Sequence, residues 1–204
     1  VKTQPIRRER ARLPAAERRR QIIEVTTRLI AERGFWGLSM QDVADGCTLT
    51  VPGLLHHVGS KDNLLVAVLE HRDETDTRTL AAELGVTAEE LWTEGPGVTL
   101  RQVCSALVRR NAAQPEIVRL FAVLEAESLA PGHPAYRYFK LRQRRTLDML
   151  SRIAPGGGDA DRWALAGQVI AMMDGLQIQW LRDPAAIDLV ESWEAAADRL
   201  FTGL

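Results

Sequence analysis

Apolar residues recur along this chain at three- and four-residue intervals, the spacing that gathers them on one face of a helix. Ile22, Val25, Leu29 and Ile30 mark such a stripe within residues 14–33, and Gly34 stops it. Phe35, Trp36 and Leu38 bridge to Ser39. Ser39 and Asp42 have the spacing of a capping box and open a short helix with Met40, Val43 and Ala44 on one side. Asp45-Gly46 breaks it. Thr50 caps the next helix, which tolerates Pro52 in its first turn and stops at Gly59. Ser60 caps a fourth, over about residues 61–84, apolar in its first half and polar in its second. Thr87 and Glu90 have capping-box spacing for a short helix carrying Leu91 and Trp92, and Gly95-Pro96-Gly97 is a loop.

The rest of the chain continues this way. Residues 100–113 and 116–129 read as two helices separated by Gln114-Pro115. A seventh, over 135–153, buries Tyr136, Phe139, Leu147, Leu150 and Ile153. It turns Arg137, Lys140, Arg142, Arg144 and Arg145 to solvent, the ordinary condition of a charge run, the sharper alternative being a site for an anionic effector such as an acyl thioester. After the linker 155–158, an eighth helix over 159–181 is apolar nearly all round and must be covered on all sides. Asp183-Pro184 reads as the cap and first turn of a ninth, with Ile187, Val190, Trp193, Ala197 and Leu200 as its stripe.

Two short helices joined by a tight turn form the helix-turn-helix pattern. Its second helix has the best claim to base edges, because such a helix places its first turns in a major groove. Thr48 and Thr50 offer hydrogen bonds to a base or phosphate, whereas Val51 and Pro52 offer apolar contact. Leu54 and Val58 face inward. The candidate DNA contacts are Ser39, Thr48, Thr50, Val51, Pro52, His56, His57 and Lys61. The adjacent His56 and His57 point different ways on a helix and lack further ligands at a suitable spacing, so no metal is expected.

Charge sharpens this picture. The formal net charge is only −1, yet residues 1–20 carry +6 and the remainder −7. A basic end on an acidic body suits a polyanion, and residues 1–13 read as an arm for phosphates or a minor groove. Cys47 and Cys104 make no disulfide framework and fit a reducing cytoplasm. No signal-peptide core follows the basic start, and 163–181, with Asp174 and three glutamines, reads as a buried helix rather than a membrane span. No nucleophile–base pair, phosphate loop or metal spacing is present, so neither an enzyme nor a cofactor is expected.

The stretch LLHHVGSKDNLLVAVLE, with Thr50, Leu54, His56, His57, Val58, Lys61 and Leu64 at its key places, resembles the TetR family of bacterial transcriptional regulators. The resemblance covers about residues 16–72 by motif and the rest by layout. It departs where the family's turn glycine falls at Thr48, and where its aromatic residues fall at Leu55, His57 and Val58. It implies an all-α fold of about nine helices: a helix-turn-helix domain over 1–60 and a helical ligand-binding and dimerisation domain over 61–204. It also implies a repressor that binds a palindromic DNA operator as a homodimer and is released by a small-molecule effector. Lys61 falls where the family contacts a phosphate.

Pairing of the last two helices with those of a second copy would bury the apolar eighth helix. Ile170, Leu176, Trp180, Ile187, Val190, Trp193 and Ala197 are the expected interface. A ligand between helices six, seven and eight would meet Phe121, Glu125, Tyr136, Phe139, Met173, Asp174 and Gln177. Asp174 has three possible uses: orienting a ligand, pairing with an arginine, or capping a kink at Gly175. The alternative reading is a dimeric helical binder of small molecules without sequence-specific DNA binding.

Overall fold

The computed structural model describes residues 13–92 and 98–202. The basic arm expected over 1–13 lies outside them except for Leu13, as does the Gly95-Pro96-Gly97 loop. The described residues form nine α-helices and no strand. They are α1 Ala15–Arg33, α2 Met40–Gly46, α3 Val51–Val58, α4 Lys61–Glu83, α5 Leu100–Ala112, α6 Pro115–Glu127, α7 Tyr136–Ile153, α8 Asp159–Arg182 and α9 Leu189–Leu200.

Two apolar cores organise them. In the first, Ile22, Ile30, Val43, Ala44, Leu54, Val58 and Leu64 pack α1 to α3 onto the start of α4. Gly46 permits the close approach of α2 to α1, since a Cβ there would lie 2.8 Å from Val25 Cγ1. This core runs on into Ile117, Leu120 and Phe139, so α6 and α7 lean directly on the helix-turn-helix. The second core joins Leu80 and Ala81 of α4 to α5, α8 and α9. Helix α4 therefore belongs to both cores.

Two expected starts are corrected. Asp183-Pro184 opens a turn rather than α9, with Asp183 Oδ1 accepting from Ala186 N–H at 3.2 Å. The ninth helix is capped by Asp188, which accepts from both Val190 and Glu191 N–H, at 2.8 and 2.9 Å. The Thr87–Glu90 box does form, but it closes only a single 3₁₀ turn, Glu90–Trp92.

Candidate functional site

At the amino-terminal end, local capping shapes the surface. Ser39 Oγ accepts from Asp42 N–H at 3.1 Å, and the Asp42 carboxylate accepts from Ser39 N–H at 3.0 Å. The Ser39 hydroxyl, which also donates to that carboxylate, and then the Ser39 N–H hold the Asp42 carboxyl below its usual value. Thr50 Oγ1 accepts from Gly53 N–H at 3.2 Å. Leu54 and Val58 point into the core, while Thr48, Thr50, Pro52, Leu55 and His56 are exposed. Val51, His57 and Lys61 are half-buried. Lys61 Nζ donates to the Leu38 carbonyl at 2.7 Å, tying the start of α4 to the segment before α2. Arg19 donates to the His57 carbonyl at 3.1 Å. No acidic residue occurs between Asp45 and Asp62, so this surface is free of like-charge repulsion toward phosphates.

The tight turn has one departure from easy backbone geometry. Thr48 adopts φ 54°, and among the described residues it is the only non-glycine with positive φ. A β-branched side chain is strained there. Its Oγ1 donates to the Cys47 carbonyl at 2.7 Å.

At the other end, α4 to α8 enclose a cavity of about 380 Å³. Leu107, Val118, Phe121, Leu150, Ile170, Met173 and Ile178 give it apolar walls. Arg72, Asp76, Asn111, Glu125, Arg142, Asp174 and Gln177 give it polar groups. Five of the expected ligand contacts line it: Phe121, Glu125, Met173, Asp174 and Gln177. Tyr136 and Phe139 do not. Phe139 is buried in the first core, edge-on to Phe121, and the Tyr136 ring lies under Lys140 Nζ.

Arg142 is a further correction. It leaves the basic face of α7 and turns inward, its guanidinium carbon 4.8 Å from the Phe121 ring centre. Its Nε donates to Asp73 of α4 at 3.1 and 3.2 Å, and Tyr138 Oη donates to the same carboxylate at 2.7 Å. Burial, with Asp73 beside it, pushes the Tyr138 phenol up. Buried Arg72 spans further: it pairs with Asp76 and donates to Gln114 at 2.8 Å and Asn111 at 3.1 Å. Asn111 in turn donates to Gln177 of α8 at 2.8 Å. Arg110 takes the other oxygen of Asp76. The polar floor of the cavity is thus wired to α4. Arg72 and Asp76 pair within one helix turn, but the contacts that tie them, Asn111 and Arg142 into the cavity span 34 to 69 residues and leave no local sequence signal.

The residues expected at a dimer interface differ in their burial within the protomer. Trp193 and Ala197 are fully buried and Trp180 nearly so, all within the second core. Trp193 Nε1 donates to Ser105 Oγ on α5 at 2.9 Å. Ile170, Leu176, Ile187 and Val190 are half-buried against the same core. The exposed side of α8 instead presents Ala164, Gln168, Ala171, Met172, Asp174, Ile178 and Gln179, of which Asp174 and Ile178 also line the cavity. Among the described residues no group of three metal-ligating side chains occurs, and no helix is long and apolar enough to cross a membrane.

A helix-turn-helix at one end and a walled cavity at the other, joined by a shared helix, give the layout of a helical transcription-regulator fold. Residues 22–68 match the model of the bacterial regulatory proteins, tetR family, which places a DNA-binding domain of that kind at the amino-terminal end. The fold is similar to that of a TetR regulator from Haloarcula marismortui, at 19% identity and TM-score 0.70, over 91% of this chain and 95% of that one. It is similar to a putative regulator from Saccharomonospora viridis in complex with choline, at 21% identity and TM-score 0.69, over 92% and 97%. It is also similar to FadR from Bacillus subtilis in complex with stearoyl-CoA, at 14% identity and TM-score 0.63, over 91% and 98%.

Proposed function

We propose that this protein is a ligand-responsive repressor that binds a palindromic operator as a homodimer in the cytoplasm and releases it when a small molecule fills the cavity. The observation that carries the proposal is α4. Its first turns close the helix-turn-helix core, and its later residues Arg72 and Asp76 wall the cavity. We keep the division at residue 60, with α4 as the shared strut. A ligand that binds one tilt of α4 better than another shifts the population of DNA-competent dimers. Coupling of about 1–3 kcal/mol is sufficient for such a switch.

Thr48, Thr50, Val51, Pro52, His56 and His57 are assigned to the duplex, with Ser39 and Lys61 at flanking phosphates. Two copies of α3 must then fit major grooves about 34–36 Å apart. The bare side of α8 meets its counterpart in a second copy, with α9 alongside, as a four-helix bundle. Ligand-bound relatives of the same fold support the cavity as the effector site, without naming the effector of this chain. The cavity in this reading binds without turnover.

The test is selection of bound duplexes from a random pool, followed by release with candidate metabolites. A palindromic consensus bound by a dimer and released by a cavity ligand supports the reading. Binding to all duplexes alike, with or without ligand, would count against it and favour a small-molecule binder.

A further inference from the structure

The charges around the cavity do not balance locally. Arg72 and Arg110 share Asp76, and Arg142 is held by Asp73. Every guanidinium there has its carboxylate. Glu125 on α6 and Asp174 on α8 also line the cavity, and among the described residues neither has a side-chain hydrogen bond or a cation within ion-pair distance. Counting Arg72, Arg110 and Arg142 against Asp73, Asp76, Glu125 and Asp174 leaves a net −1.

We infer that the cavity takes an organic monocation, its charged head between Glu125 and Asp174 and its apolar remainder along Phe121, Met173, Ile170 and Leu150. The inference rests on the reading of this cavity as the effector site. An anionic head would have to break an existing pair at Arg72 or Arg142 and would meet both bare carboxylates. A metal ion would find only two ligands and a largely apolar wall. A cavity of about 380 Å³ matches a small organic molecule rather than a bare ion. Glu125 is half-buried and Asp174 exposed where they line the cavity, and two carboxylates facing one cavity repel, so a cation between them relieves both at once. Burial and the Glu125 charge push the Asp174 carboxyl up to about 6, so protonation leaves much of the repulsion in place at neutral pH.

The test compares three compounds that share one phenylbutyl group, on the full chain at pH 7.5 by calorimetry. They are 4-phenylbutyl-trimethylammonium, its neutral isostere with carbon in place of nitrogen, and 5-phenylpentanoate. The expected result is a cation bound at least about ten-fold more tightly than the isostere, with the carboxylate weakest. E125Q and D174N should each cut that preference several-fold, with a retained cooperative melting profile reporting an intact fold. Equal binding of cation and isostere, tighter binding of the carboxylate, or a preference that survives in the E125Q/D174N double variant overturns the inference and leaves the cavity reading standing. Binding of none of the three overturns the inference along with that reading.

Discussion

Arg142 and Asp73 join α7 to α4 through Nε, which lies 3.1 and 3.2 Å from the two carboxylate oxygens. The pair is half-buried, and Tyr138 donates to the same carboxylate. Removing Asp73 alone strands a guanidinium and a phenol. Asp73→Ala is expected to cost about 2–3 kcal/mol of unfolding free energy, and Tyr138→Phe about 1 kcal/mol. The double variant Asp73→Ala/Arg142→Met should be more stable than Asp73→Ala, because the orphaned charge is gone. Urea unfolding of the set checks this, and strictly additive losses would show that the two residues are not coupled.

Much of this arrangement is legible in the residues, and the parts that are not have a common cause. Capping boxes at Ser39–Asp42 and Thr87–Glu90 form as their spacing demands. Leu54 and Val58, apolar and four apart, turn inward as one face of a short helix, while Leu55 beside them stays exposed. Periodicity does not say which base on α7 leaves the solvated face. Arg142 does so because Asp73, far away in the chain, waits on α4. Trp193 has the same character: a stripe on α9 marks an apolar face, but only packing assigns that face to α5 rather than to a second copy. Asp183-Pro184 carries a valid helix-start signal, and Asp188 offers a better one, with two backbone donors at the start of the longer apolar repeat.

Thr48 supplies a direct stability test. Positive φ at a β-branched residue costs about 1–2 kcal/mol, offset here by one local hydrogen bond and by the greater freedom glycine has when unfolded. Thr48→Gly is expected to raise stability by about 0.5–1 kcal/mol. Thr48→Val keeps the branching, loses the hydroxyl and should lower it. Thermal or urea denaturation reads both, and a destabilised Thr48→Gly would show that the turn is not strained.

The difference in burial among residues of α8 and α9 predicts that two kinds of substitution separate cleanly. Trp193→Ala empties a fully buried site and removes the donor to Ser105, so it should cost about 3–5 kcal/mol. Ile178→Glu and Met172→Glu alter side chains 43% and 36% exposed, so each should leave helix content and melting of the protomer nearly intact. On the proposed α8 interface they should instead yield monomers in sedimentation. Dimers that persist in both glutamate variants would move the interface elsewhere.

Lys61 has two partners to serve. Its ammonium already holds the Leu38 carbonyl, which places it at the edge of the helix-turn-helix surface. As a phosphate contact, Lys61→Ala should weaken binding to operator and random duplex alike and reduce the salt slope by about 0.9. Lys61→Arg should restore most of both. A variant that changes sequence preference with an unchanged slope would mean that Lys61 reads a base.

Asp174 sets opposite pH trends for stability and for cation binding. Its carboxyl is raised from 3.8 to about 6, chiefly by burial and then by Glu125, with Arg142 opposing. Glu125 of α6 and Arg142 of α7 act on it, and the paired Arg72 and Asp76 line the same cavity. The folded protein then binds a proton between pH 4 and 6 more readily than the unfolded chain does. The destabilising charge is fully present above about pH 6 and is lost as pH falls through it, so Asp174 makes the empty protein more stable toward pH 5. A cation needs the ionised form, so its affinity should fall below pH 6 by up to about ten-fold per unit. The D174N variant should flatten both trends, and the difference between wild type and D174N in melting and calorimetry isolates this group from every other titration. A cation affinity that holds constant from pH 7 to pH 5 in the wild type would remove Asp174 from the site.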